Sequence, residues 1–163
     1  MDLRHSGTWS GIPRCALPSV HYYSSRATGS ILIVDDEALV RASGVGLFVD
    51  AGFRAIEAVN SDEALEILNA GSEVQVLFTD VNLPGMIDGL ALARLVNDRW
   101  PHIGIIIVSG RSTPQPHELP AGSRFHRKPY DSELVVRHAR EMTAAKRPPP
   151  FGRLAASLQK WHG

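Results

Sequence analysis

Cysteine occurs once in the 163 residues, at Cys15, so no disulfide can close within the chain, and a lone thiol fits a reducing compartment. No apolar run approaches the roughly 20 residues needed to span a bilayer. Residues 1–29 open with Met1-Asp2-Leu3-Arg4 and lack the continuous apolar stretch of a secretory signal, so a cytoplasmic location is expected. Several signatures are missing too: there is no GxxxxGK(S/T) phosphate loop and no GxSxG elbow. Gly44-Val45-Gly46 lacks a third glycine and falls inside a helical pattern, so helix packing is its expected role. The seven histidines are scattered without a pair at ligand spacing on one helix, and His126 and His138 are read as surface or packing residues rather than ligands.

The chain also has no net charge, but its charges are unevenly spread. Residues 30–98 carry twelve Asp/Glu against three Lys/Arg, and residues 124–163 carry nine Lys/Arg against three Asp/Glu. The acidic part can draw in a cation and the basic end suits acidic partners, although ordinary surface solvation accounts for most such charges. The basic run Arg124-Phe125-His126-Arg127-Lys128 overlaps an expected strand. It therefore reads as edge charges plus a site lysine rather than a DNA surface.

What is present is a regular alternation. Apolar runs at 31–34, 76–78 and 103–108, a weaker alternating run near Phe53 to Val59 and a short one at Arg124 to Arg127 predict five strands. Helical patterns lie between them: Glu37 to Ala51 before Gly52, Ser61 to Ala70 before Gly71, Leu90 to Trp100 before Pro101, and Ser132 to Ala145. Ser61 and Asp131 are expected N-caps. This order implies right-handed βαβ crossovers and a parallel sheet covered on both faces. Residues 1–29 read as a flexible extension, 30–145 as one domain and 146–163 as a proline-rich linker with a short tail. In that tail Leu154, Leu158 and Trp161 fall at helical spacing.

One interval breaks the rhythm. Ser109 to Arg124 holds Pro114, Pro116 and Pro120 where a helix should join the fourth and fifth strands. Proline inside a helix costs roughly 3 kcal/mol, so at most a short or displaced turn is expected there.

The chemistry sits at the strand ends. In a parallel sheet the C-terminal ends share one edge, which here presents Asp35 and Asp36, Asp80, Ser109 and Lys128. Neighbouring carboxylates about 4 Å apart repel by about 4 kcal/mol at an effective dielectric of about 20 unless a cation relieves them. Oxygen donors with an incomplete shell suit Mg²⁺, so the group is a candidate for metal-assisted phosphoryl transfer. Singly, each residue has an ordinary reading as a cap, a turn residue or a solvated charge. Four strand ends that each supply the needed group make coincidence the weaker explanation.

Five segments in order resemble the receiver domains of bacterial two-component response regulators. They are Ile31-Leu32-Ile33-Val34-Asp35-Asp36-Glu37, Leu77-Phe78-Thr79-Asp80, Leu83-Pro84-Gly85-Met86-Ile87-Asp88-Gly89, Ile106-Ile107-Val108-Ser109-Gly110 and Lys128-Pro129-Tyr130. The resemblance covers about Ser30 to Ala145 and implies a flavodoxin-like, doubly wound five-stranded parallel sheet in the order 2-1-3-4-5. It also implies roles. Asp80 accepts a phosphoryl group from a histidine kinase or a histidine phosphotransfer protein. Asp36, Asp80 and the backbone carbonyl of Asn82 hold Mg²⁺, with Asp35 acting through a water. Lys128 pairs with a phosphoryl oxygen, Ser109 moves to another, and Phe125 takes the place of an aromatic that changes rotamer. Asn82 and Arg111 flank the expected phosphoryl position.

The pattern departs from the family in several places. Asp80 to Gly89 is one residue longer than the common spacing, Ser109 stands where threonine is also common, Phe125 has no hydroxyl to anchor a rotamer, and prolines interrupt the usual output helix. Only 18 residues follow Ala145. The expectation is therefore a stand-alone receiver that acts by phosphorylation-dependent contact with an unidentified downstream protein, as a homodimer, or as a phosphoryl shuttle or sink, without direct DNA or membrane binding and without catalysis beyond its own phosphorylation and dephosphorylation. One alternative is a binding module that uses the fold without phosphorylation, which retention of all five site residues disfavours. Another is an aspartate-based phosphohydrolase of the haloacid dehalogenase type, which needs a second carboxylate where Asn82 stands.

Overall fold

The computed structural model describes residues 27–145. Cys15, most of the expected extension and the tail with Leu154, Leu158 and Trp161 lie outside the described residues. Five parallel strands, β1 (Ser30–Val34), β2 (Arg54–Ala58), β3 (Val76–Asp80), β4 (Gly104–Ser109) and β5 (Arg124–Arg127), form one sheet in the order β2-β1-β3-β4-β5. The helices are α1 (Ala38–Asp50), α2 (Ser61–Asn69), α3 (Gly89–Arg99) and α4 (Ser132–Ala145). This is the expected flavodoxin-like architecture and strand order.

Strand alternation sorts the core into two layers. Leu32, Val34, Leu77, Ile105 and Ile107 point to one face with Ala64, Leu68 and Leu92, whereas Ile31, Ile33, Phe78, Ile106 and Val108 point to the other with Phe48 and Val135. Successive strand side chains face opposite ways, so a strand buried on both sides is apolar along most of its length. On the second face Phe48 meets Phe53 and Phe78 edge to face, at centroid distances of 6.1 and 5.2 Å. Gly44 is buried on α1, where an added Cβ would lie 3.4 Å from Ile33 Cγ2, so its role is helix packing as expected; Gly46 has open space around it.

The helix ends correct one expectation and bear out another. The N-cap of α2 is Asn60, whose Oδ1 accepts from Glu63 N at 2.8 Å, and Glu63 Oε2 in turn accepts from Val59 N at 2.7 Å. Ser61 instead begins the helix buried and donates its hydroxyl to the Ile87 carbonyl at 3.1 Å, tying α2 to the loop after β3. Asparagine and serine cap about equally well, but Glu63 three residues after Asn60 gives the capping-box spacing that Ser61, followed by Ala64, lacks. Asp131 caps α4, its Oδ1 accepting from Glu133 N and Leu134 N at 2.9 and 3.2 Å.

Between β4 and β5 there is one short 3-10 turn, Pro116–Glu118, in place of a helix, as the prolines predict. Pro114 in this loop is buried.

His126 and His138 pack, but against each other. His126 is 8% exposed on β5, and its Nε2 lies 3.1 Å from Nδ1 of His138 on α4. One ring must donate and the other accept, so the contact needs an imidazole nitrogen free of a proton. Burial, then His138 and Arg124, hold the His126 imidazole below the ordinary histidine range, against a smaller upward pull from Asp131. A base with a lowered folded pKa adds stability above about pH 6.5 and loses it as pH falls toward the folded value, because the unfolded chain takes up the proton first. Urea midpoints should therefore fall between pH 7 and 5 more steeply for the wild type than for His126→Gln. Equal slopes would refute the assignment.

Candidate functional site at the carboxyl edge of the sheet

Strand register brings the chemistry together. Val34 pairs with Thr79 and Asp80 with Val108, so Asp35 and Asp80 leave adjacent strands side by side, with Ser109 one residue beyond Val108. The Lys128 backbone N–H donates to the Ser109 carbonyl at 2.8 Å, which places the lysine at the end of β5 on this same edge. The Lys128-Pro129 peptide bond is cis.

Lys128 joins two of the carboxylates. Its Nζ donates to Asp35 Oδ2 at 3.1 Å and also to Asp80 Oδ2. The three side chains are 23%, 6% and 13% exposed, so the charges interact in a medium far less screening than water. Burial by itself pulls the Lys128 ammonium down, but the hydrogen bonds and charges of Asp80 and Asp35 together raise it above the ordinary lysine value. Burial likewise pushes the nearby Tyr130 hydroxyl up; its ring packs edge to face on Phe78 at 5.9 Å.

Each carboxylate is also held by backbone. Asp35 Oδ1 accepts from Glu37 N at 2.9 Å, and Asp80 Oδ1 accepts from Asn82 N at 2.8 Å. Arg41, reaching back from α1, donates through Nη1 to the Asp35 carbonyl at 2.8 Å and through Nε to Glu57 at 3.2 Å. Sequence reasoning missed Arg41, since nothing in its spacing marks a link between β1, α1 and β2.

Asp36, adjacent to Asp35, is exposed. Among the described residues no group of three or more His, Cys, Asp or Glu side chains is arranged to hold a metal ion. Asp35 and Asp80 share an ammonium group while Asp36 stands at the solvent edge. Mg²⁺ needs only one or two carboxylates besides water and substrate oxygens, so hard oxygen donors in this number match its chemistry.

Ser109 is fully buried, and its Oγ accepts from Asn82 Nδ2 at 3.3 Å and from Ser112 N at 3.0 Å. Its own proton is left to give. Of the two residues expected to flank the site, Asn82 makes one of these contacts and Arg111 is exposed; Ser112, one position further on, donates its hydroxyl to Asn82 Oδ1 at 3.0 Å. Phe125 pairs in register with Ile107 and packs half-buried on the face that carries α2 and α3.

The loop after β3 is fixed at its far end. Gly89 N donates to the Val81 carbonyl at 2.9 Å, and Asp88 caps α3 by accepting from Ala91 N at 2.7 Å. Between these ends Gly85 takes a φ of 120°, which favours glycine, and Met86 stands 97% exposed. Pro84, Gly85 and Met86 thus form the solvent-facing tip of the 80–89 interval.

A family model described as the response regulator receiver domain matches residues 31–120, more than half of the chain. "Putative response regulator NtrX-like" of Rickettsia bellii is 32% identical over 124 residues, which is 72% of this chain and 26% of that protein. "Sensor kinase CckA" of Brucella abortus is 34% identical over 119 residues, 71% of this chain and 12% of that protein. The aligned stretch is thus a minor part of both relatives. A response regulator receiver protein from Sinorhizobium medicae superposes with a TM-score of 0.69 at 25% identity, covering 76% of this chain and 100% of that one. Family match, sheet order and the grouping of strand-end residues agree, and the chain belongs to the response regulator receiver domain family.

Proposed function

We propose that this chain is a phosphorylation-operated switch that takes a phosphoryl group on Asp80 from a histidine kinase or histidine phosphotransfer protein. The observation that carries the reading is Lys128, hydrogen-bonded to Asp35 and Asp80 at the same sheet edge as the buried Ser109 hydroxyl. A carboxylate oxygen of Asp80 attacks the phosphorus of a phosphohistidine. The P–N bond breaks, the departing imidazole takes a proton from solvent, and Asp80 becomes an acyl phosphate.

The chain's own residues then respond to the new charge. Lys128 releases Asp80 and pairs with a phosphoryl oxygen, and Ser109 leaves its two donors to give its proton to another, the charge-driven ordering typical of phospho-switches. Phe125 repacks toward the space that Ser109 vacates, by packing alone because it has no hydroxyl. Asp36, Asp80 and the Asn82 carbonyl would hold Mg²⁺, with Asp35 through a water, and the ion when bound supplies positive charge that offsets the phosphoryl oxygens.

The output is a phosphorylation-dependent protein contact, with a second copy or another protein, or transfer onward of the phosphoryl group. The missing helix between β4 and β5 means that a partner built to grip a helix there finds the Pro116–Glu118 turn instead. The chain's own chemistry ends with gain and loss of the phosphoryl group. Incubated with Mg²⁺ and acetyl phosphate, the wild type should gain one phosphoryl group by intact mass, and with beryllofluoride it should bind one equivalent, while Asp80→Ala does neither. Modification that persists in Asp80→Ala, or none in the wild type, would sink the reading.

A further inference from the structure

We propose that Ser112 is a positioning residue that holds Ser109 and Asn82 in the unphosphorylated arrangement and thereby sets how readily the switch turns. Three hydrogen bonds close a ring. Ser112 N donates to Ser109 Oγ at 3.0 Å, Ser112 Oγ donates to Asn82 Oδ1 at 3.0 Å, and Asn82 Nδ2 donates to Ser109 Oγ at 3.3 Å. The Ser109 oxygen thus receives both available donors, and both ends of the Asn82 amide are engaged.

The ring touches the phosphoryl acceptor directly. The Asn82 backbone N–H holds Asp80 Oδ1 at 2.8 Å, so a single residue joins the acceptor carboxylate to the hydroxyl that must later move. When Ser109 turns toward a phosphoryl oxygen it abandons both donors, and the Asn82 amide loses its acceptor. The bond from Ser112 Oγ keeps that amide aimed at Ser109 and so favours the resting state. The loop cannot rearrange by winding into a helix, because Pro114, Pro116 and Pro120 follow and Pro114 is buried. Ser112 is held beside the end of β4 by its bonds to Ser109 and Asn82.

This inference rests on Asp80 being the acceptor, and its test separates the two ideas. Beryllofluoride binding in the presence of Mg²⁺ is titrated for the wild type, Ser112→Ala and Ser112→Thr, with urea midpoints measured alongside. Loss of one partly exposed neutral hydrogen bond from the resting state should make Ser112→Ala bind about threefold tighter. Ser112→Thr, which keeps the hydroxyl, should match the wild type. In an Asn82→Ala background the Ser112→Ala effect should vanish.

A purely structural Ser112 would weaken both states alike, moving the urea midpoint and leaving affinity unchanged. Equal or weaker binding by Ser112→Ala, no rescue by threonine, or an effect that survives Asn82→Ala overturns the proposal while leaving Asp80 as acceptor. A wild type that binds no beryllofluoride overturns both.

Discussion

Lys128→Ala should lower folding stability by about 2 kcal/mol in chelator and should recover most of that loss when Mg²⁺ is added. Removing one partner of a fully buried ion pair costs about 3–5 kcal/mol because the remaining charge is left unpaired. Here Asp35 and Asp80 remain, two carboxylates that shared one ammonium, but at 23% exposure Lys128 lies near enough to water for a smaller figure. A divalent cation replaces the lost charge in the variant, whereas in the wild type the ammonium already occupies part of that role.

The pH dependence has a definite sign. Lys128 has a raised folded pKa, so its stabilisation is complete below lysine's unfolded value of about 10.4 and is lost as pH rises through the higher folded one. At neutral pH the full contribution is present. Alkaline destabilisation should be shallower in Lys128→Ala. Phosphorylation of Asp80 should persist at a lower rate, with the Ser109 side no longer responding to it. Wild-type stability of the variant in chelator, with no extra gain from Mg²⁺, would show that the lysine is not neutralising this pair.

Gly89→Ala is the most damaging single-methyl change expected. A Cβ there would sit 1.6 Å from the Asp80 carbonyl oxygen, 2.7 Å from its carbonyl carbon and 2.9 Å from Thr79 Oγ1. Two of those atoms are backbone at the end of the central strand and cannot rotate aside. Overpacking of a side chain costs about 1–3 kcal/mol, and a clash against a strand end belongs at or above the top of that range, so about 3 kcal/mol or more is expected. Because the atoms displaced belong to Asp80, phosphoryl acceptance should fall together with stability. A urea midpoint within error of the wild type, with normal beryllofluoride binding, would contradict the tight approach. Gly46→Ala, with nothing within 4 Å of its Cβ position, is the control.

The fold was legible because its signal is local and repeated. A strand buried on both faces is apolar along most of its length, and Ile31 to Val34, Val76 to Phe78 and Ile103 to Val108 are written that way; the helices between them end at Gly52, Gly71 and Pro101. The absent helix was legible for the same reason, since proline acts on its own turn. Less was legible at α2, where Asn60 rather than its neighbour Ser61 is the cap and the Ser61 hydroxyl is given to the Ile87 carbonyl.

The site divides along the same line. Asp35, Asp80, Ser109 and Lys128 stand at strand ends, and a parallel sheet gathers strand ends at one edge, so their meeting followed from topology. Ser112 and Arg41 carry no such mark. Ser112 is one serine in a proline-rich loop, and Arg41 one arginine on a helix, until the chain closes on itself. His126 and His138 are twelve residues apart in different elements and meet only because α4 folds back onto the sheet, chiefly against β4, the neighbour of β5.

By itself the sequence determined the alternation of strands and helices, the edge where the chemistry gathers and the break before β5, because each depends on residue type within a few neighbours. Only the tertiary structure decided which carboxylates share Lys128, which serine holds Asn82 and why Gly89 tolerates no side chain. Those are distances of about 3 Å or less between segments far apart in the chain, set by register and by how helices seat on the sheet.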